Sequence, residues 1–291
     1  MGCINEINGH TKLTGLLGSP VAHSKSPLMH NEAFKELGLN YVYLCFDVPE
    51  NNLKVAYEGL KKLNVAGFNC TMPDKTLICE LVDELSPAAS MIGAVNTVVN
   101  KDGKFIGHNT DGIGYMQSVK DAGFDIIGDT MTLLGAGGAA SSIFVQAALD
   151  GVKNINVFSI KDRFWEKAQK MVDAVNSKTD CNAKLIELGN DDVLGESIEK
   201  SQILTNATSV GMAPNVDGCI IPDKKMLRED LIVSDVIYNP METKLLRMAK
   251  EQGCQTFNGL YMLLYQGAEA FKIWTGKDMP VEHIKELYFT V

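Results

Sequence analysis

Residues 133–140 read Leu-Leu-Gly-Ala-Gly-Gly-Ala-Ala and fit the pattern G-x-G-x-x-A. An apolar strand is predicted before this turn, at 130–134, and a helix after it, at 138–150. Glycine permits the tight turn and lets the backbone approach a pyrophosphate, to which the helix start presents free N–H groups. The turn therefore predicts dinucleotide binding by Gly135, Ala136, Gly137, Gly138 and Ala139, with plain strand–helix packing as the alternative.

The same region raises the question of a membrane span. The 20 residues between Asp129 and Asp150 carry no charge, which is long enough for a spanning helix. The glycines in the middle of this stretch favour a short strand, a turn and a helix instead. We therefore predict no membrane association.

Strands and helices alternate outward from the turn, which predicts an α/β protein with mainly parallel sheets. Predicted strands lie at 13–18, 41–47, 65–69, 94–100, 104–108, 130–134, 154–159, 183–187, 202–205, 232–235 and 255–257. Predicted helices lie at 27–38, 50–62, 74–84, 112–122, 138–150, 162–176, 190–199, 241–252, 259–273 and 280–289. Residues 100–103, Asn-Lys-Asp-Gly, predict a hairpin turn.

Composition limits the possible functions. The chain has 291 residues with 27 basic and 36 acidic side chains, a net charge of −9. This length suggests two domains, and a ligand site is expected in a cleft between them. The acidic balance argues against nucleic-acid binding. Seven scattered cysteines and a polar segment Met1–Lys12 without an apolar signal core predict a cytoplasmic protein with reduced thiols.

Seven blocks along the chain carry a family resemblance. They are Gly18-Ser19-Pro20-Val21-Ala22-His23-Ser24-Lys25-Ser26-Pro27, Asn69-Cys70-Thr71-Met72-Pro73-Asp74-Lys75, Gly93-Ala94-Val95-Asn96-Thr97, Asn109-Thr110-Asp111-Gly112, Ala207-Thr208-Ser209-Val210-Gly211-Met212, Asp235-Val236-Ile237-Tyr238-Asn239-Pro240 and Gly259-Leu260-Tyr261-Met262-Leu263-Leu264-Tyr265-Gln266-Gly267-Ala268. In this order they resemble the shikimate dehydrogenase family, and most closely its quinate/shikimate dehydrogenase branch.

The resemblance implies two α/β domains with a cleft between them. A substrate-binding and catalytic domain would comprise residues 1–112 plus 259–291, and a Rossmann-type dinucleotide domain residues 113–258. The implied reaction, part of the shikimate pathway of aromatic amino acid biosynthesis, is reversible hydride transfer between a nicotinamide cofactor and a ring hydroxyl of shikimate, and also of quinate. A homodimer is expected, and no metal is needed for this chemistry.

The resemblance also assigns residues to the reaction. Oxidation of an alcohol needs a group that removes the hydroxyl proton, and Lys75 with Asp111 fits that role. Lys75 would lie at the start of the helix 74–84, and Asp111 would orient its ammonium group. Ser24 and Ser26 would donate to the substrate carboxylate, although N-capping of the next helix is a simpler role for both. The remaining substrate contacts implied are Thr71, Asn96, Tyr238 and Gln266. Thr110 and Tyr43 are second in rank, and for Tyr43 core packing is the favoured alternative.

Cofactor choice depends on the residues after the second strand of the nucleotide domain. Asp162 can accept hydrogen bonds from a ribose diol, which favours NAD, or it can cap the following helix. Family members carry Asn-Arg where this chain has Ser159-Ile160, so an arginine that would pair with a 2′-phosphate is missing. Lys161 and Arg163 could serve NADP instead. Further cofactor contacts implied are Ser159, Lys161, Ser209, Val236 and Gly259.

Two other functions remain open. One is a strictly biosynthetic, NADP-dependent shikimate dehydrogenase. The other is a non-catalytic, nucleotide-sensing protein on the same scaffold. The presence of both Lys75 and Asp111 argues against the second.

Overall fold

The computed structural model describes residues 7–290. The predictions for Cys3 and for the beginning of Met1–Lys12 fall outside that range. Its strands are β1 (Lys12–Gly18), β2 (Tyr41–Asp47), β3 (Gly67–Cys70), β4 (Glu84–Leu85), β5 (Thr97–Lys101), β6 (Lys104–His108), β7 (Thr130–Leu134), β8 (Asn154–Ser159), β9 (Asn182–Glu187), β10 (Ile203–Asn206), β11 (Ile232–Asp235) and β12 (Gln255–Asn258). Its helices are α1 (Ser26–Glu36), α2 (Leu53–Lys62), α3 (Pro87–Ile92), α4 (Asp111–Asp121), α5 (Gly138–Asp150), α6 (Trp165–Lys178), α7 (Asp191–Glu199), α8 (Lys244–Glu251), α9 (Leu260–Thr275) and α10 (Val281–Tyr288).

The chain divides into two compact units. The first unit contains the described residues up to Thr110 and from Leu264 onward, and the second unit is Asp111–Leu263. Each unit has its own six-stranded sheet. The sequence prediction had placed the domain boundaries after residues 112 and 258.

The sheet of the first unit is mixed. Its strand order is β2-β1-β3-β5-β6-β4, and β5 runs antiparallel to both β3 and β6. The predicted hairpin between β5 and β6 is confirmed. Asp102 and Gly103 have φ values of 54° and 87°, and such positive values at both central residues are what a two-residue type I′ turn requires.

The end of the chain packs into the first unit. The Trp274 indole Nε1 donates to the carbonyl of Val98 on β5 at 2.9 Å. Phe271 stacks on Phe34 of α1, with ring centroids 5.0 Å apart. Helix α9 therefore belongs to the hydrophobic core of the first unit, where it packs against α1 and β5.

The sheet of the second unit is fully parallel. Its order is β12-β11-β10-β7-β8-β9, so the chain runs outward in one direction from β7 and in the other from β10. This is the doubly wound dinucleotide-binding order, in which ligands bind at the carboxyl ends of the strands where the order reverses. The Tyr115 hydroxyl on α4 lies 2.5 Å from Thr205 Oγ1 and 2.9 Å from Ser234 Oγ, which anchors α4 to β10 and β11.

The predicted helix at 74–84 is wrong. This segment forms turns and a short 3-10 helix, Leu77–Glu80, before β4. The Asp83 N–H donates to the Phe105 carbonyl, and the Phe105 N–H donates to Asp83 Oδ2 at 2.7 Å. These bonds to β6 draw the segment into the sheet, so tertiary pairing overrides its local helical tendency. The short elements β4 and α3 were also missed.

No described helix has the properties of a transmembrane segment. None of those within residues 7–290 combines the length and apolarity that a bilayer crossing requires. The uncharged stretch after Asp129 forms β7, the glycine turn and α5, as the sequence predicted.

Candidate active site

Two loops of the first unit meet where β1 and β3 end. The two strands are parallel neighbours, so their carboxyl ends lie at one edge of the sheet. The Thr71 N–H donates to the Leu17 carbonyl at 2.9 Å, and the Ser19 N–H donates to the Met72 carbonyl at 3.1 Å. The loop that carries the two serines and the segment that carries Lys75 are thereby joined through their backbones.

The close approach of these loops explains a glycine. A Cβ atom at Gly18 would collide with Cγ2 of Thr71. Because Thr71 is a proposed substrate contact, any larger residue at 18 would displace it. Gly18 therefore keeps the serine loop packed against the Thr71 side chain.

Lys75 is held through its main chain. Its carbonyl accepts from the Val95 N–H at 2.8 Å and from the Cys79 thiol at 3.6 Å. The preceding Asp74 is fully buried, and neither of its carboxylate oxygens has a hydrogen-bond partner among the described residues. Burial raises the pKa of Asp74. Lys75 thus sits in a turn tied to the loop before Asn96, not at the start of an α-helix as predicted.

The serine loop is supported by β2. The Ser26 side chain interacts with Tyr43, and the Ser24 side chain interacts with Cys45. Tyr43 and Cys45 are two residues apart, so both point to the same face of the strand. The Ser24 Oγ also accepts the Ser26 N–H at 3.2 Å. The N-cap position of α1 is Lys25, whose side chain makes no capping bond, so the serines do not act as simple N-caps.

Buried amides form the centre of the first unit's polar cluster. Asn69 Nδ2 donates to the Asn96 carbonyl and to Thr97 Oγ1, both at 3.0 Å. Asn96 Oδ1 accepts from the Thr110 N–H at 2.8 Å, and Asn96 Nδ2 lies 3.3 Å from Gln266 Oε1. The structure therefore brings together the predicted contacts Asn96 and Gln266, although they are separated by 170 positions in sequence.

Two predicted site residues belong to the second unit. Asp111 is the first residue of α4, directly after Thr110. Tyr238 follows β11 and is 43% exposed.

The glycine turn of the second unit has the predicted form. Gly135 follows β7 with φ 109°, a value that side-chain-bearing residues rarely adopt, and a Cβ there would lie 2.9 Å from Thr208 Cγ2. Gly137 is the N-cap residue of α5, and no side chain forms a capping hydrogen bond there. A Cβ atom added at Gly137 or at Gly138 would meet no atom within 4 Å. Open space thus faces the helix start, which is the room that a pyrophosphate needs.

The other predicted cofactor contacts follow strand ends of the same sheet. Ser159 ends β8, and the rest lie in the loops after β8, β10, β11 and β12. They are Lys161, Asp162, Ser209, Val236 and Gly259. All of them occupy the carboxyl edge, where doubly wound sheets bind ligands.

Asp162 forms a local turn. Its Oδ1 accepts the Phe164 N–H at 2.8 Å, while α6 begins only at Trp165 and uses Phe164 as its N-cap. The alternative that Asp162 caps this helix therefore does not hold. Lys161 Nζ lies 4.0 Å from Glu187, and the Arg163 guanidinium lies over the Phe164 ring at 4.7 Å.

Sequence reasoning missed a second polar network behind the cofactor loops. Asn206 Nδ2 donates to Asp235 Oδ1 at 3.0 Å, and Asn206 Oδ1 accepts from the Thr208 hydroxyl at 2.7 Å. Thr243 donates to Asp235 Oδ2 at 2.7 Å. Burial raises the pKa of Asp235, whereas the bonds from Thr243, the Ile237 N–H and Asn206 lower it. Polar residues at the ends of two adjacent buried strands were the available signal.

Comparison with known proteins identifies the family. A family model described as "Shikimate dehydrogenase substrate binding domain" matches residues 16–98, and one described as "Shikimate 5'-dehydrogenase C-terminal domain" matches 259–287. A shikimate dehydrogenase (NADP(+)) of Listeria monocytogenes is 56% identical, with 97% of each chain covered. One of Streptococcus uberis is 49% identical, again with 97% of each covered.

Solved structures agree with the sequence matches. A shikimate 5-dehydrogenase of Listeria monocytogenes in complex with shikimate and NAD superposes with a TM-score of 0.94 at 56% identity, covering 97% of both chains. A quinate dehydrogenase of Corynebacterium glutamicum in complex with NAD has a TM-score of 0.84 at 30% identity, covering 97% of this chain and 99% of its own. The expected fold class and family are confirmed, and the chain belongs to the shikimate dehydrogenase family.

Proposed function

We propose that this chain is an NAD(P)-dependent dehydrogenase that interconverts shikimate and 3-dehydroshikimate. The observation that carries the proposal is the polar cluster of the first unit, in which buried amides hold Asn96 and Gln266 together. Such a fixed set of donors and acceptors suits a ring that bears several hydroxyl groups. The first unit would bind this substrate, and the second unit the dinucleotide.

Lys75 and Asp111 perform the proton transfer in this proposal. Lys75 Nζ takes the proton of the ring hydroxyl during oxidation and returns it during reduction, and Asp111 orients the ammonium group. The bonds from Val95 and Cys79 to the Lys75 carbonyl support this role, because they fix the origin of the side chain.

The substrate's functional groups are divided among the remaining residues. Ser24, Ser26 and Tyr238 bind the carboxylate through their hydroxyls. Thr71, Asn96 and Gln266 bind the ring hydroxyls. The support that β2 gives to both serines favours a binding role over simple helix capping.

The second unit fits a nicotinamide dinucleotide. Gly135, Ala136, Gly137, Gly138 and Ala139 would hold the pyrophosphate at the start of α5, and the loops at Ser209, Val236 and Gly259 would border the nicotinamide. When bound, the cofactor accepts or returns the hydride. Asp162 Oδ1 accepts the Phe164 N–H, and Oδ2 would take a ribose hydroxyl. We therefore propose a preference for NAD, with NADP as a weaker cofactor.

A steady-state matrix of shikimate and quinate against NAD and NADP tests the proposal. We expect turnover of shikimate with NAD, weaker turnover with NADP, and additional use of quinate. No turnover in any combination would overturn the proposed function and favour a nucleotide-sensing role, which cofactor binding without turnover would reveal. A homodimer and a cytoplasmic location complete the proposal, and light scattering and cell fractionation test them.

A further inference from the structure

The Tyr43 hydroxyl lies between the two groups of proposed substrate contacts. Tyr43 is fully buried on β2, and its hydroxyl donates to Asn69 Oδ1 at 2.8 Å. The Ser26 side chain also interacts with this hydroxyl. Asn69 is not among the predicted substrate contacts, and Tyr43 is only second in rank among them.

The direction of each bond follows from groups that have only one possible role. The Asn96 carbonyl can only accept, so the Asn69 atom 3.0 Å from it is the amide nitrogen Nδ2. Asn69 Oδ1 therefore faces Tyr43, and Tyr43 must donate its only proton to it. The Tyr43 oxygen can then act only as an acceptor toward the Ser26 side chain that interacts with it.

The same reasoning applies at the other end. The Thr110 N–H can only donate, so the Asn96 atom 2.8 Å from it is Oδ1. The Thr97 hydroxyl accepts from Asn69 Nδ2 and donates to Asn96 Oδ1, each at 3.0 Å. Asn96 Nδ2 then faces Gln266 Oε1.

These bonds form one relay in which every donor points the same way. It runs from Tyr43 to Asn69, Thr97, Asn96 and Gln266. Hydrogen bonds aligned in a chain polarise one another in a low-dielectric interior, and a break at one member weakens its neighbours.

We propose that Tyr43 and Thr97 are positioning residues for substrate binding, through which this relay fixes Asn96 and Gln266 as a single unit. The inference rests on the proposed function, since it gives Asn96 and Gln266 the ring hydroxyls of the substrate as ligands. Neither Tyr43 nor Thr97 needs to touch the substrate, because both are completely buried.

Tyr43→Phe removes the hydroxyl with little other change. The ring of Tyr43 stacks on His30 at 4.5 Å, and phenylalanine keeps that contact. The backbone of Tyr43 is held separately by Asn31, which accepts from its N–H at 2.8 Å and donates to its carbonyl at 2.9 Å. Tyr57→Phe is the matched control, because Tyr57 is a buried tyrosine of the same unit that lies outside the relay.

We expect Tyr43→Phe to raise KM for shikimate about tenfold, the usual effect of one lost hydrogen bond, with kcat and KM for the cofactor within about twofold. Tyr57→Phe should leave all three unchanged. An unchanged or lowered KM for shikimate in Tyr43→Phe, or an equal rise in Tyr57→Phe, would overturn the proposal.

A second pair of variants tests the relay even if the Tyr43→Phe variant fails to fold. Thr97→Val keeps the shape but removes the relay hydroxyl, and Thr97→Ser restores it, so only the valine variant should raise KM. Equal effects of both would refute the relay. Calorimetric titration with shikimate alone measures the same affinity change without turnover, which separates failure of this inference from failure of the proposed dehydrogenase activity.

Discussion

The candidate site of the first unit is built from side chains, whereas that of the second unit is built mainly from backbone. In the first unit, hydroxyls and amides from β2, β3, β5 and α9 and from the residue before β5 bond one another across long sequence separations. In the second unit, glycines and strand ends expose N–H groups, and Asp162 is the main side chain that could distinguish cofactors. Substrate binding by side chains should therefore be sensitive to the removal of single polar atoms. Cofactor binding by backbone should be sensitive to changes in turn geometry.

The largest expected effect concerns the proton-transfer group of the first unit. Lys75→Ala should lower kcat by about 10²–10⁴, the usual contribution of a positioned acid–base group, with a smaller change in KM for shikimate. Steady-state kinetics of the Lys75→Ala variant measures this loss of kcat. Lys54→Ala, which removes an exposed lysine of the same unit, is the control. A folded Lys75→Ala variant with wild-type kcat would exclude Lys75 as the proton acceptor.

Acid should affect the two units unequally, because all five histidines lie in the first unit. Burial lowers the pKa of His30 to about 3 from its ordinary 6.5, and neither ring nitrogen has a hydrogen-bond partner in residues 7–290. The unfolded chain therefore binds this proton more readily, so stability is lost as the pH falls below 6.5 toward 3.

Hydrogen exchange between pH 7 and pH 4.5 should show this difference. Peptides of the first unit should lose protection earlier than those of the second. His30→Gln cannot take up the proton and should flatten the pH dependence of stability, whereas His10→Gln, at an exposed position, should not. Equal acid sensitivity of the two units in the wild type would contradict this account.

The serine loop should show a smaller effect, confined to the carboxylate. Ser24→Ala and Ser26→Ala should each raise KM for shikimate, because a hydrogen bond to a charged group contributes about 1.5–3 kcal/mol. Ser90→Ala, at an exposed serine of the same unit, serves as the control. Unchanged affinity in the double variant would mean that the serines only organise the loop.

The smallest expected effect is cofactor preference in the second unit. Asp162 would face the 2′-phosphate of NADP as a like charge, so kcat/KM should favour NAD by about tenfold, equivalent to about 1.4 kcal/mol. Asp162→Ser combined with Ile160→Arg should narrow or invert that ratio, and Asp180→Ser should not change it. A wild-type preference for NADP would refute the ribose interpretation of Asp162.

The elements of the second unit were predicted more closely than the connections of the first. The patterns at 130–134, 138–150 and 154–159 gave the observed bounds of β7, α5 and β8, because a glycine turn between regular elements is encoded locally. The helix at 74–84 was wrong, because its conformation depends on bonds from Asp83 to Phe105.

The relay shows the same limit for the site. Ser26, Asn96 and Gln266 could be singled out from motifs, but Tyr43 looked like a core residue and Thr97 received no role. Their importance depends on which atom of each amide faces which neighbour. Only the pairing of β2, β1, β3 and β5 in three dimensions determines that arrangement.

The anchoring of α4 has a consequence for recombination between relatives. Tyr115 lies one helical turn after Asp111 and fastens α4 to β10 and β11 through Thr205 and Ser234. Asp111 is therefore structurally part of the second unit, whereas Lys75 is part of the first. We expect a chimera that replaces Asp111–Leu263 by the corresponding segment of a relative to take the residue at position 111 and the cofactor preference from that relative, and to keep Lys75 and the substrate relay unchanged.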